Sequence, residues 1–267
     1  MTPRLSACII TYNEERNIRA CLESLRWADE IVVVDSGSDD RTREIAREWT
    51  DRVIENPWPG HIQQKNAAVD EARGDWILSL DADERCSSEL AEGIRSVVRG
   101  TDDGFDAYEV PRRLHYMGKW LRFGGWSPEY KVRLFKKGRA RWGGVNPHDR
   151  VEAVGPVGRL EGALLHYSYL DLADQLRQTL SFTGISAAEL YRSGHRASLL
   201  DLSARPFWAF FQRYLMRWGI LDGVPGLMMA ANHSFCVFLK YARLWEMEWS
   251  GPLSSSREEH PGDGGER

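Results

Sequence analysis

The first hundred residues switch back and forth between two hydrophobic periods, and that alternation restricts the fold more than any other feature of the chain. Leu5–Thr11 (LSACIIT) is an apolar run of strand length. Ile18, Cys21, Leu22 and Leu25 then recur at i, i+3, i+4 and i+7, the stripe of a helix. Glu30–Asp35 (EIVVVD) returns to a β-branched run, and DDRTREIAREW is helical in composition. A short third strand is expected within Arg52–Glu55 and a helix over Ile62–Arg73. WILSL then forms a strand that ends on Asp81-Ala82-Asp83, and Ser87 or Ser88 caps a helix through Val98. Alternation of this kind predicts an α/β fold, a mostly parallel sheet with helices on both faces. Unbroken runs such as IVVV suit strands buried on both sides. Ligands of such sheets sit outside the carboxyl ends of the strands. The segments to inspect are therefore Tyr12–Glu15, Ser36–Asp40 and Asp81–Asp83.

Past Asp103 the character changes. Residues 112–141 carry ten Lys/Arg against one acid, Glu129, with tryptophans and tyrosines interleaved. Residues 171–193 read as a helix interrupted at Gly184. Residues 205–249 hold eleven aromatics, with Pro206 suited to a first helical turn. Phe207, Phe210, Phe211, Tyr214, Leu215 and Trp218 are expected on one face. This segment has two readings, a helical pair packed on the rest of the protein or an amphipathic surface lying in a membrane interface. The longest uncharged run, Gly223–Leu239, has 17 residues, short of the roughly 20 that a spanning helix needs. The polar, Gly-rich end is expected to be disordered. The expected parts are thus residues 1–103, 104–195, 196–250 and a tail at 251–267.

Composition excludes some function classes. A chain of 267 residues with net charge −4 is a poor candidate for general nucleic-acid binding. Its four cysteines show no C-x-x-C spacing, so neither a zinc site nor a disulfide framework is expected, and a reducing compartment fits. Charge comes too early at the N-terminus for a secretory signal. The first strand–helix turn, Thr11-Tyr12-Asn13-Glu14-Glu15, has no glycine, so it is not a dinucleotide fingerprint, and no P-loop is present. A bound diphosphate would need another neutralising group. Asp81 and Asp83, two residues apart at a strand end, can hold a divalent cation together with phosphate oxygens. Taken alone, they can equally be an acidic, N-capping turn. Asp35 either caps the following turn or bonds a base or ribose. Lys65 is either a solvated helix lysine or a phosphate contact.

The segments I-I-T-Y-N-E-E, V-V-V-D-S-G-S-D-D and K-N-A-A…A-R-G-D-W-I-L-S-L-D-A-D-E, in this order and spacing, resemble family 2 inverting glycosyltransferases of the GT-A (Rossmann-like) fold. Further on, G-G-W-S-P-E-Y-K-V-R-L-F-K-K-G, N-P-H-D-R-V-E and L-L-H-Y-S-Y resemble the branch that builds the lipopolysaccharide core, of the β-1,4-glucosyltransferase kind. The resemblance spans about residues 4–247. One departure is Ser36, where many family members carry a second acid.

The resemblance implies a nucleotide-sugar donor, of the UDP-glucose kind, held by Thr11, Tyr12, Asn13, Glu14 and Asp35. Asp81 would lie near the ribose and metal, and Asp83 would ligate Mg²⁺ or Mn²⁺. His166 would be a further metal ligand. Inversion needs a base that takes the proton of the acceptor hydroxyl. Asp149, expected in a loop, is the first choice and Glu129 the second, with His148 orienting the base or touching the acceptor. The basic stretch would face an anionic, lipid-linked glycan acceptor. A C-terminal helical segment would contact the membrane surface, making the enzyme peripheral on the cytoplasmic face of the inner membrane. The rival readings are a polyprenyl-phosphate sugar synthase, a sugar nucleotidyltransferase and a non-catalytic sugar-binding protein.

Overall fold

The computed structural model describes residues 4–100, 103–145 and 148–250; the tail at 251–267 lies outside them. The chain forms two compact units. One comprises the chain up to Leu114 together with Pro128–Ser168, and the other His115–Ser127 and the chain from Tyr169 onward.

The first unit opens with β1 (Leu5–Thr11), α1 (Ile18–Leu25), β2 (Glu30–Asp35), α2 (Thr42–Arg47), β3 (Val53–Glu55), α3 (His61–Glu71) and β4 (Trp76–Asp81). It continues with β5 (Glu84–Cys86), α4 (Ser88–Arg99) and β6 (Ala107–Tyr116), whose last two residues pair with β7 (Lys119–Trp120) in the second unit. The remaining strands are β8 (Glu129–Lys136), β9 (Ala140–Val145), β10 (His148–Ala153), β11 (Val157–Arg159) and β12 (Leu164–His166).

Among the described residues the main sheet runs β3-β2-β1-β4-β8-β6-β12-β5, with β11 also on β6. The first four strands are parallel, as expected. In the other half β11 and β12 are also parallel to β6, and the sheet becomes mixed where β8 lies antiparallel to both β4 and β6, and β5 antiparallel to β12. β8 follows β6 through a return of the chain and not through a crossover helix, and only a crossover produces parallel neighbours.

Both faces of the parallel half are covered. Leu5, Ala7 and Ile9 of β1 and Leu78 and Leu80 of β4 face Ile18, Leu22, Leu25 and Ile94. Cys8, Val32, Val34 and Ile77 face the other way, onto Ala68 and Val69 of α3 and Trp142 of β9. This two-sided burial is why the strands read as unbroken apolar runs.

The second unit holds α5 (Leu172–Arg192), α6 (Leu199–Leu202), α7 (Ala204–Phe211) and α8 (Val224–Ser250). The break expected at Gly184 is absent, and α5 is continuous there. The glycine makes room for a neighbour instead, since a Cβ would fall 2.5 Å from the guanidinium of Arg243, which donates to Leu180 O. The single aromatic face expected over 207–218 is also interrupted. A π-helical turn at Gln212–Met216 and a left-handed Trp218 (φ 61°) change the helical phase. Among the described residues no helix is long and apolar enough to cross a membrane.

Ser87 caps α4, its Oγ accepting from Leu90 N (3.2 Å) and also from the buried Ala163 N (3.0 Å). Ser87→Ala removes both bonds and should cost about 1–2 kcal/mol. In urea unfolding the midpoint should fall at an unchanged m-value.

Candidate active site

The carboxyl ends of the central strands collect the predicted residues by register. Thr11 of β1 is paired with Asp35 of β2, and Ile10 with Asp81 of β4. The two loops that follow β1 and β2 are bonded together. Asn13, in the left-handed region (φ 52°), donates its N–H to Ser38 Oγ (2.9 Å) and accepts at Oδ1 from Asp39 N (3.0 Å). Glu14 N donates to Thr42 Oγ1 (2.7 Å). Thr11 Oγ1 is buried without a hydrogen-bond partner. Tyr12 is half-buried beside them.

Asp35 is fully buried and caps its own turn. It accepts from Gly37 N (3.0 Å), Ser38 N (2.8 Å) and Ser38 Oγ (2.5 Å). Of its two sequence readings, the turn cap is the one formed here.

Lys65 is not a solvated helix lysine. It is 5% exposed. Its Nζ lies 2.7 Å from Asp149 Oδ2, 3.2 Å from Asp81 Oδ1 and 4.2 Å from the centroid of the Trp142 ring. Asp149 sits on β10, not in a loop as expected, and Arg150 pairs with Glu152 instead of with it. The β9–β10 hairpin is held to α3 by a reciprocal pair of bonds. Asn66 Nδ2 donates to Trp142 O (3.0 Å), and Trp142 N donates to Asn66 Oδ1 (3.1 Å). That clamp brings Asp149 to Lys65. The side chain of His148 lies outside the described residues.

From Asp149 the charges alternate without a break. Lys65 leads to Asp81, and Asp81 Oδ2 meets Arg133 (3.0 Å). Arg133 meets Glu84 (2.8 Å), Glu84 meets Arg112 (3.4 Å), and Arg112 meets Glu129 (2.7 Å), which ends on Lys131 (2.8 Å). Burial pushes the Asp81 carboxyl up, but Lys65 and Arg133 outweigh it and hold it well below the usual carboxylate range. Glu129 is lowered in the same way, with Arg112 and Lys131 overcoming burial.

This arrangement engages most of the basic stretch within the chain itself. Arg112, Lys131 and Arg133 belong to the charge chain. Lys136 and Arg139 pair with Asp106, Arg141 pairs with Asp70, and Lys137 donates to Ala72 O. Arg133, Glu84, Arg112 and Trp142 were not singled out as site residues from sequence. The one available signal was a lone acid, Glu129, among so many cations, which implies partners elsewhere in the chain.

Asp83 and His166 are brought together because β12 pairs antiparallel with β5, placing His166 opposite Glu84. His166 Nε2 lies 3.0 Å from Asp83 Oδ2, while Asp83 Oδ1 is buried with no hydrogen-bond partner. Burial raises the Asp83 carboxyl, and the charge and hydrogen bond of His166 more than reverse that. Among the described residues no three acidic, His or Cys groups form a closed metal cage. An orphaned carboxylate oxygen beside an imidazole nitrogen fits an open site that takes its remaining ligands from substrate phosphates and water.

Residues 6–153 match the Glycosyl transferase family 2 domain. The chain belongs to glycosyltransferase family 2. The match takes in every predicted site residue from Thr11 to Asp149, while His166 lies beyond it. The chain is 29% identical over 260 residues to the lipopolysaccharide core biosynthesis glycosyltransferase LpsC of Rhizobium meliloti, covering 92% of this chain and 94% of that one. It is 30% identical over 256 residues to an uncharacterized glycosyltransferase of Rickettsia felis, covering 91% and 90%. Among solved structures, the mannosyltransferase PcManGT from Pyrobaculum calidifontis, in complex with GDP-Man and Mn²⁺, aligns at TM-score 0.47 and 16% identity over 95% of this chain and 77% of that one. The domain match over 6–153 confirms the family 2 resemblance drawn from the motifs.

Lys65 bridges Asp149 and Asp81, so replacing it strands the Asp149 carboxylate and leaves Asp81 with Arg133 alone at a buried point. Lys65→Met should destabilise the protein by about 3–5 kcal/mol, and Lys65→Met with Asp149→Asn by clearly less. A double-mutant cycle in urea checks this, and additive losses would rule out the coupling.

Proposed function

We propose that this family 2 glycosyltransferase moves a hexose, with inversion and with a divalent cation, from a nucleotide sugar of the UDP-glucose kind to an anionic, lipid-linked glycan such as a lipopolysaccharide core intermediate. The observation that carries the reading is the unpartnered Asp83 Oδ1 beside His166, at the same sheet edge as the Asp149–Lys65–Asp81 pairing. The name of the Rhizobium meliloti relative supports the choice of acceptor.

Asp83 and His166 would hold Mg²⁺ or Mn²⁺, which when bound supplies positive charge to the departing diphosphate. The bonded loops after β1 and β2 form the nucleotide seat. Thr11 Oγ1 brings a hydroxyl with no internal partner, and Asp35 keeps the second loop in shape. Asp81 is neutralised by Lys65 and Arg133 and serves as an anchor for the metal-binding turn. Asp149 takes the proton of the attacking hydroxyl. Lys65 occupies its Oδ2, so Oδ1 is the accepting atom, and the lysine holds the carboxylate in place throughout. Glu129 is the weaker candidate for base, because Arg112 and Lys131 both hold its proton affinity down.

The experiment uses labelled UDP-glucose with a truncated core glycolipid. Asp149→Asn should lower kcat by about 10²–10⁴ with little change in donor KM, and Glu129→Gln by less than about tenfold. Activity of Asp149→Asn within about threefold of wild type would remove it as the base. Asp83→Ala should bring donor turnover to background and abolish its dependence on Mn²⁺. EDTA should do the same to the wild type reversibly.

A further inference from the structure

Within the second unit, α7 and α8 are joined by a turn with an unusual surface. Leu215, Met216, Trp218, Ile220, Leu221 and Val224 are six large apolar side chains within ten residues, and all are exposed. Trp218 is 63% exposed and Val224 67%. Trp208 and Phe211 of α7, stacked on each other at 5.8 Å, are exposed as well.

The exposure is built into the fold. Asp222 accepts from Arg122 N and from Phe123 N (2.9 Å). Gly124 N donates to Arg217 O (2.7 Å), and Arg213 Nη1 donates to Gly124 O (3.0 Å) and Gly125 O (3.1 Å). Arg213 also lies over the Trp126 ring (4.4 Å), which packs on His233 (5.3 Å). Gly219 approaches so closely that a Cβ would sit 2.6 Å from Arg213 O. The backbone of the tip is therefore bonded down on one side while its apolar side chains face out. Trp218 adopts the left-handed conformation that bulky residues avoid, so the fold retains a strained aromatic where a glycine would sit without strain.

Charge identifies what covers this surface. Arg122, Arg213 and Arg217 border the tip, and the acid among them, Asp222, has its carboxylate engaged by backbone N–H groups. Three arginines around an apolar tip repel a second copy of the same tip and attract phosphate headgroups. Tryptophan suits the boundary between headgroups and acyl chains, and arginine stems extend along apolar matter while their heads stay with phosphate.

We infer that the 215–224 tip is an interfacial anchor, a preshaped wedge that seats Trp218, Leu221 and their neighbours below the headgroups of a bilayer containing anionic lipid. It needs no spanning helix, and it stands independently of the sugar-transfer reading.

The test uses the full chain with extruded vesicles of phosphatidylethanolamine and phosphatidylglycerol, and with phosphatidylcholine vesicles for comparison. The wild type should co-sediment with the anionic vesicles, weaken on phosphatidylcholine, and lose fluorescence to lipids brominated near the headgroup. Trp218→Gly removes the ring and suits the left-handed backbone. It should keep or raise Tm, lose vesicle binding by about tenfold, and lose most of the bromine quenching. Leu221→Ser should also weaken binding. Arg217→Gln should weaken binding to anionic vesicles only. Donor turnover without lipid should be unchanged in all three variants, so failure here and failure of the catalytic reading are distinguishable. Equal vesicle binding by wild type and Trp218→Gly, or no binding by the wild type, would overturn the inference. So would a concentration-dependent dimer that Trp218→Gly abolishes, because the patch would then cover a second copy.

Discussion

Eight charges of alternating sign, from Asp149 through Lys65, Asp81, Arg133, Glu84, Arg112 and Glu129 to Lys131, bind the candidate active site together. Lys65, Arg133 and Glu84 are almost wholly removed from water, and none would be tolerated there singly. Each is admitted because its neighbours carry the opposite sign. The chain draws on α3, β4, β5, β6, β8 and β10. The strands on either side of the parallel–antiparallel junction are thus tied by charge as well as by their backbone ladders. Trp142, under both Lys65 and Arg133, contributes a π face where another anion would have upset the balance.

This network gives the two acids of the D-A-D turn different characters. Asp81 is flanked by two cations and is saturated. Asp83, two residues on, has one oxygen at His166 and the other with no partner. The sequence motif treats the two aspartates alike, and the surroundings neutralise one with two cations and leave the other with an unpaired oxygen. The difference arises because β8 supplies Arg133 beneath one of them and β12 supplies His166 beside the other.

That contrast also shows what was legible in the sequence. The strands Leu5–Thr11 and Glu30–Asp35 and the helix capped by Ser87 were readable to the residue or nearly so, because local periodicity and capping chemistry decide them. The pairing of Asp83 with His166 was reachable only through the family resemblance. The inward-facing cations were not legible. Nothing local marks Arg133 as buried and Lys137 as peripheral, since the distinction depends on which strand inserts beside β4, a pairing between distant segments in which Trp76 meets Lys136 and Leu78 meets Leu134. Gly184 misled for a similar reason. Its role is to admit Arg243, and a single helix read by itself gives no sign of the partner that needs the space.

The order of the main sheet has one more consequence. Its two outermost strands, β3 and β5, are three residues each, and beside the first of them Glu55 is held by Arg43 and Arg47. A broad sheet with long, bare margins would invite neighbouring molecules to add strands of their own. Here the ladder narrows on both sides to a stub, one of them flanked by paired charges. A crowded population of these molecules therefore has little open backbone through which to polymerise, even though the interior strands are among the most hydrophobic stretches of the chain.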